Sequence, residues 1–132
     1  EKAPAALCRK VAEAKDSGMI EVWGTGTASR AYIYIDDLID GIRLLMNSSL
    51  EDGVNIGRQE YVTVDELAST VVTVSGKNIR FKHVEGPVGV AARNFLIDRI
   101  SSLGWKSRIS LREGLSRTYP WIKAQVEAAG KK

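Results

Sequence analysis

Histidine and cysteine are almost absent from this sequence, which has only His83 and Cys8 among its 132 residues. A single cysteine excludes an internal disulfide, and one residue of each type argues against a zinc site built from histidine and cysteine alone. A lone free thiol is typical of a reducing compartment. The first residues, 1–6, lack the apolar core of a signal peptide. We therefore expect a cytoplasmic location.

A long apolar run and a large charge of one sign are missing as well. No apolar stretch approaches the roughly 20 residues of a membrane-spanning helix, and the formal net charge is only +3. The sequence therefore predicts neither a membrane span nor a nucleic-acid partner. With 44% hydrophobic and 27% charged residues, the composition is that of a globular protein. We assign residues 1–128 to one domain and residues 129–132 to a flexible tail.

Apolar periodicity and capping signals predict an alternation of helices and short strands, which is the pattern of an α/β fold. The predicted helices cover residues 4–15, 36–46, 63–76 and 98–103, and a last one starts at the Ser110 capping signal. The predicted strands cover residues 19–23, 31–35, 54–56 and 79–84. Such strands are too few and too short for a complete doubly wound sheet. The apolar elements are therefore expected to need a partner surface that this chain does not contain.

The stretch over residues 23–37 combines a Gly-rich turn, one basic residue and a compact apolar run that ends in two acids. Small side chains let a ligand approach the backbone, and the guanidinium of Arg30 can bind a phosphate or carboxylate in a forked geometry. The pattern predicts an anion site, with a purely structural hairpin turn as the alternative. It is not a dinucleotide-binding fingerprint, because the turn does not open a helix.

Other cations extend this hypothesis. Lys2, Arg9 and Lys10 share one face of the first predicted helix, and they form either a solvated basic face or a wall for an anionic ligand. Arg93 follows a loop of small residues that begins at Gly86, and it is either solvated or part of a diphosphate clamp.

Two further patterns are interpreted as structural. Tyr119 and Lys123 match the Tyr-x-x-x-Lys pair of short-chain dehydrogenases, but Pro120 lies between them and the apolar stripe places Tyr119 in the core. Cys8 lies within a helix that has no histidine nearby, which favours an inert buried thiol.

Taken together, the sequence resembles the C-terminal part of the GDP-mannose 3,5-epimerase family. That family belongs to the extended short-chain dehydrogenases/reductases, among the NAD-dependent epimerases/dehydratases. The resemblance runs nearly from end to end. Its most specific piece is the opening Glu-Lys-Ala-Pro-Ala-Ala. The other matching pieces are Cys8-Arg9-Lys10, Trp23-Gly24, Arg30 with Ile35-Asp36, Val54-Asn55-Ile56-Gly57, Gly86-Pro87, Arg93-Asn94, Leu103-Gly104-Trp105 and Trp121-Ile122-Lys123.

The resemblance implies a substrate, a cofactor and a set of site residues. In that family NAD transiently oxidises the sugar of a nucleotide-diphosphate sugar at C4, and a cysteine and a lysine move protons at C3 and C5. Lys2 then matches the proton-transfer lysine. The matches to substrate contacts are Glu1, Ala3, Lys10, Ala28, Ser29, Arg30 and Arg93, and Lys10, Arg30 and Arg93 are the ones expected at the diphosphate.

The resemblance also implies what this chain does not contain. The Gly-rich NAD-binding half and the partner cysteine have no counterpart here, so NAD is expected to be bound by the missing N-terminal half. The isolated chain is expected to be inactive. The alternatives are a non-catalytic nucleotide-sugar-binding or oligomerisation module, and another NAD-dependent sugar-nucleotide epimerase or dehydratase. A homodimer is left open.

Overall fold

The computed structural model describes residues 2–87 and 89–130. Five helices and four strands alternate along this part of the chain, in agreement with the predicted α/β class. In chain order they are α1 (Ala3–Glu13), β1 (Met19–Trp23), β2 (Ser29–Ala31), α2 (Ile35–Met46), β3 (Tyr61–Thr63), α3 (Val64–Ser75), β4 (Arg80–Val84), α4 (Asp98–Ser102) and α5 (Leu111–Gly130).

The strands form two small two-stranded sheets. β1 and β4 are parallel, with Met19 opposite Arg80 and Trp23 opposite Val84. β2 and β3 are antiparallel, and Arg30 lies opposite Val62. Parallel strands require a long crossover connection, and here that connection contains β2, α2, β3 and α3.

The core lies where α1, α3 and α5 pack on one another and on the inner face of β1. Alternate residues of β1 are buried, so Ile20 and Val22 point into this core. The other buried residues of the cluster are Leu7, Cys8, Val11, Leu67, Ala68, Val71, Ile79, Leu115 and Tyr119. This packing fixes the start of α1 and the end of β1 relative to each other.

The ends of the helices show which local signals were correct. The predicted capping box at the start of α3 is confirmed: the Thr63 hydroxyl accepts from the Glu66 N–H at 3.1 Å, and the Glu66 carboxylate accepts from the Thr63 N–H at 2.6 Å. α1 ends at Glu13, earlier than predicted. Its last carbonyls instead accept hydrogen bonds from the Lys77 ammonium, at 2.7 Å for both Val11 and Ala14.

Two strand predictions were wrong. The strand predicted over residues 31–35 is replaced by β2, which stops at Ala31, and α2 already begins at Ile35. Its partner β3 is only three residues long, so the apolar residues beyond Ala31 have no strand to pair with. Residues 54–56 form no strand either. The Asn55 side chain donates to the Leu96 carbonyl at 3.1 Å, which connects this segment to the chain just before α4.

The last helix continues through Pro120 to Gly130, so the proline does not end it. Residues 131–132, half of the predicted tail, lie outside the described residues. The domain boundary at residue 128 stays a prediction.

Candidate functional site

A cleft of about 380 Å³ opens between α1, β1 and the turn that joins β1 to β2. Four of the residues predicted to bind substrate line it, and they come from two separate stretches of the chain, α1 and residues 28–30. These four are Ala3, Lys10, Ala28 and Arg30. The cleft has the size of a small-molecule site.

Lys10 is held at the rim of the cleft by β1. Its ammonium donates to the main-chain oxygen of Glu21 at 2.8 Å and lies 5.5 Å from the centroid of the Trp23 ring, within the range of a cation–π contact. An ammonium has three N–H donors, so Lys10 can keep this anchor and still donate to a ligand. The positive charge is therefore both positioned and available.

Arg30 faces the same cleft from β2. Its Nη1 donates to the main-chain oxygens of Ser29 at 2.7 Å and Ala91 at 3.3 Å, and its Nη2 donates to that of Val90. These bonds join the guanidinium to the loop that follows β4. Burial raises the pKa of the neighbouring Tyr32 hydroxyl, and the positive charge of Arg30 opposes that rise. Tyr32 is therefore neutral at physiological pH.

The turn over residues 24–28 forms one wall of the cleft, and the start of α3 holds it in place. The Val64 N–H donates to the Ala28 oxygen at 3.1 Å, and the Asp65 N–H donates to the Gly26 oxygen at 3.0 Å. The Asp65 carboxylate in turn pairs with the Nε2 of His83 on β4, at 2.9 and 3.0 Å from its two oxygens. The wall is thus tied to both α3 and β4.

Replacing Gly26 with alanine is expected to loosen this wall. Gly26 has a φ of +75°, and a Cβ there would overlap the Asp65 carboxylate. The matched control is Gly76→Ala, because Gly76 has a φ of +70° but no atom lies within 4 Å of the place that a Cβ would take there. Both variants strain the backbone to a similar extent. We expect Gly26→Ala to lower the unfolding free energy by about 1–2 kcal/mol more than Gly76→Ala does, because only its Cβ displaces the Asp65 carboxylate from its hydrogen bonds to His83. Equal losses in chemical denaturation would show that the Asp65 contact contributes nothing.

The remaining predicted site residues have varied positions. Lys2 caps the start of α1, with its side chain exposed, and its main-chain oxygen accepts from the Ala6 N–H at 2.9 Å. Ser29 lies on β2, where its N–H donates to the Ala91 oxygen at 2.8 Å. Arg93 is exposed and is not among the described residues that line the cleft. Glu1 lies outside the described residues. The roles assigned to these residues stay predictions.

The two patterns interpreted as structural lie in structural positions. Tyr119 is buried in the core and Lys123 is half-exposed beside Glu127. Burial raises the pKa of the Tyr119 hydroxyl, which disfavours the phenolate that acid/base work would require. Cys8 is fully buried, and burial raises its thiol pKa to about 11. A thiol in this state is a poor nucleophile at neutral pH.

Sequence reasoning missed several residues that shape the cleft. Glu21 and Trp23 line it beside Lys10. Strand alternation could have placed both on one face of β1, but nothing local indicated that α1 would pack next to them. The Asp65–His83 pair that holds the turn was missed because its partners lie on α3 and β4, and no spacing rule connects them.

Neither a metal site nor a membrane-spanning helix is found among the described residues. Residues 2–87 and 89–130 contain no group of three or more His, Cys, Asp or Glu side chains that could hold a metal ion. Within these ranges, every helix is too short or too polar to cross a bilayer.

The turn over residues 24–28 does not have the structure of a loop that binds the phosphates of NAD. A dinucleotide-binding loop joins a strand to a helix, whose N-terminus faces the pyrophosphate. Here the turn leads from β1 into β2, so it presents no helix N-terminus to a cofactor. We therefore assign these residues no role in binding NAD.

The chain is similar to several nucleotide-sugar enzymes. The model of the NAD dependent epimerase/dehydratase family matches residues 1–57. GDP-mannose 3,5-epimerase of Arabidopsis thaliana is 41% identical over 128 residues, which cover 96% of this chain and 33% of the relative. GDP-L-fucose synthase 1 of the same plant is 40% identical over 126 residues, which cover 92% of this chain and 39% of the relative.

A solved structure shows the same fold. UDP-glucuronic acid 4-epimerase from Bacillus cereus, in complex with UDP-glucuronic acid and NAD, matches with a TM-score of 0.82 and 25% identity, over 95% of this chain and 40% of that one. These matches confirm the predicted resemblance and the α/β fold of part of an extended short-chain dehydrogenase. The chain spans about a third of the length of the curated epimerase that it matches.

Proposed function

We propose that this chain, which resembles NAD-dependent epimerases, is the nucleotide-sugar-binding portion of a sugar-nucleotide epimerase of the GDP-mannose 3,5-epimerase kind. The observation that carries the proposal is the convergence of Lys10 and Arg30 on one cleft from α1 and β2. Two cations on separate elements suit a diphosphate, which spreads its negative charge over several oxygens. The sequence similarity to two GDP-sugar enzymes supports the nucleotide class.

In this proposal, the residues have distinct roles. Lys10 and Arg30 bind the diphosphate, and Arg93 joins them from the loop after β4. Ala3, Ala28 and Ser29 form the wall against the substrate, together with Glu1. Lys2 transfers protons at C3 and C5, which become acidic once the sugar carries a ketone at C4. NAD would be bound by a portion outside this chain. A cytoplasmic location and a homodimer stay predictions.

Calorimetric titration of the chain with GDP-mannose and with UDP-glucose tests the proposal. We expect GDP-mannose to bind more tightly, and tighter binding of UDP-glucose would reject the GDP assignment in favour of another epimerase or dehydratase.

Incubation of the chain with GDP-mannose and excess NAD tests whether the isolated chain is inactive. We expect no epimerised product, and detectable product would contradict the inactivity of the isolated chain.

Replacing Lys10 with glutamine is expected to weaken GDP-mannose binding by about 10- to 100-fold, which is the value of one charge-assisted hydrogen bond. The matched control is Lys15→Gln. It removes the same charge from an exposed residue that does not line the cleft. Calorimetry of both variants separates a direct contact from long-range attraction. Equal effects would show that Lys10 acts only through the net charge.

A further inference from the structure

Among the described residues that line the cleft, Glu21 is the one acid. It lies on β1 two residues before Trp23, and both side chains are on the exposed face of the strand, since burial alternates along β1. Lys10 lies between them, 2.8 Å from the Glu21 main-chain oxygen and 5.5 Å from the Trp23 ring. A carboxylate, an ammonium and an indole are therefore adjacent in the cleft.

The Glu21 carboxylate has no partner within residues 2–87 and 89–130. Lys10 donates to the main-chain oxygen and not to the carboxylate. Lys82 lies opposite Glu21 in the strand register, yet no ion pair joins them in this part of the chain. The carboxylate oxygens are thus available as acceptors. An ionised carboxylate accepts hydrogen bonds and cannot donate them, so Glu21 suits a part of the ligand that carries hydrogen-bond donors.

The identity of those donors follows from nucleobase chemistry. Guanine carries two adjacent donors, N1–H and the N2 amino group, which match the two oxygens of a carboxylate. Uracil offers a single donor, N3–H, which lies between two carbonyl oxygens. A carboxylate would repel those two oxygens. The Trp23 ring, 53% exposed, can face any base and does not discriminate between bases. Discrimination therefore depends on the acid.

We propose that Glu21 is the specificity-determining residue for a guanine nucleotide, accepting hydrogen bonds from N1–H and N2–H through its carboxylate. This inference rests on the proposed function, because it assumes that a nucleoside diphosphate occupies the cleft with its phosphates at Lys10 and Arg30. It adds the base contact, which the diphosphate-binding cations do not supply.

Titration of the full chain with GDP, IDP and UDP tests the inference. IDP lacks the N2 amino group of GDP but keeps N1–H. For the native chain we expect GDP to bind about 10-fold more tightly than IDP, and IDP more tightly than UDP. In Glu21→Gln we expect GDP binding to weaken by about 10- to 100-fold, while UDP binding changes by less than about 2-fold.

Two further variants complete the experiment. Glu51→Gln removes the same charge from an exposed residue outside the cleft, and its nucleotide preference should equal that of the native chain. Glu21→Asp keeps the charge on a shorter side chain and should retain part of the preference for GDP. Thermal melting of each variant verifies that the fold is intact, as expected for an exposed strand residue.

Each other outcome overturns a defined claim. If Glu21→Gln weakened the binding of GDP and of UDP equally, the carboxylate would contact hydroxyl groups that both nucleotides carry. Base recognition by Glu21 would then be rejected. An unchanged preference for GDP in Glu21→Gln would reject it as well, while leaving the proposed function intact. A native chain that binds none of the three nucleotides would reject the proposed function and, with it, this inference.

Discussion

Replacing Lys2 with methionine is expected to lower epimerase turnover by about 100- to 10,000-fold, the usual contribution of a general acid/base residue. Lys2 lies at the start of α1 with its side chain exposed, and the next residue, Ala3, lines the cleft. Lys2 itself does not line the cleft, and in the proposal its amine acts at the sugar end of the ligand, away from the diphosphate at Lys10. The measurement needs this chain joined to an NAD-binding portion, and it follows solvent deuterium incorporation at C3 and C5.

The control for this prediction is Lys2→Arg, which keeps the positive charge. A guanidinium does not deprotonate in proteins, so it cannot serve as a proton acceptor, and we expect the arginine variant to be as slow as the methionine variant. Binding of GDP-mannose should change by less than about 3-fold in both, because the role proposed for Lys2 is proton transfer rather than affinity. Full activity of Lys2→Arg would show that Lys2 supplies only charge.

The cleft is built from residues that are distant in the sequence, and this explains which of its features could be foreseen. The first helix was predicted from local signals over residues 4–15, and the position of Lys10 within it follows directly from them. Arg30 was identified as an anion-binding candidate from the turn before it. Their convergence depends on how β1 packs beside α1, which no local pattern specifies. It was expected only from the family resemblance.

The strand predictions failed for a related reason. Residues 31–35 have the β-branched and aromatic content of a strand, but a strand also requires a partner. β3 offers only three residues, with Ala31 opposite Tyr61 at the end of the register. Beyond that point Tyr32 turns toward the cleft instead. Strand propensity was therefore overridden by the short length of the partner strand β3, which no local pattern predicts.

The acids that follow this run have a different role from the one that their position suggested. Asp36 and Asp37 lie in the first turn of α2, where acidic side chains interact favourably with the helix dipole. Asp36 is exposed and lies 3.6 Å from Arg117. Asp37 is 4% exposed, and its main-chain oxygen accepts from the Trp105 indole N–H at 3.0 Å. The Leu-Gly-Trp motif thus has a structural function, since it attaches the segment before α5 to α2.

Replacing Asp37 with alanine is expected to lower the unfolding free energy by about 2–5 kcal/mol. One carboxylate oxygen of Asp37 accepts from the N–H groups of Arg108 at 3.0 Å and Ile109 at 2.9 Å. Alanine would leave both donors without this partner, at about 1–3 kcal/mol each. For a domain of this size the melting temperature should fall by roughly 10–20 °C, as followed by circular dichroism.

Asp36→Ala is the matched control, because it removes the same charge from the same turn of α2. Its ion pair with Arg117 is exposed, so its loss should cost less than about 1 kcal/mol. Asp37→Asn keeps a side-chain oxygen that can accept from the two N–H groups, and we expect its stability to lie between those of the two alanine variants. If both alanine variants lost the same stability, the contribution of Asp37 would be helix-dipole charge, and its bonds to Arg108 and Ile109 would contribute little.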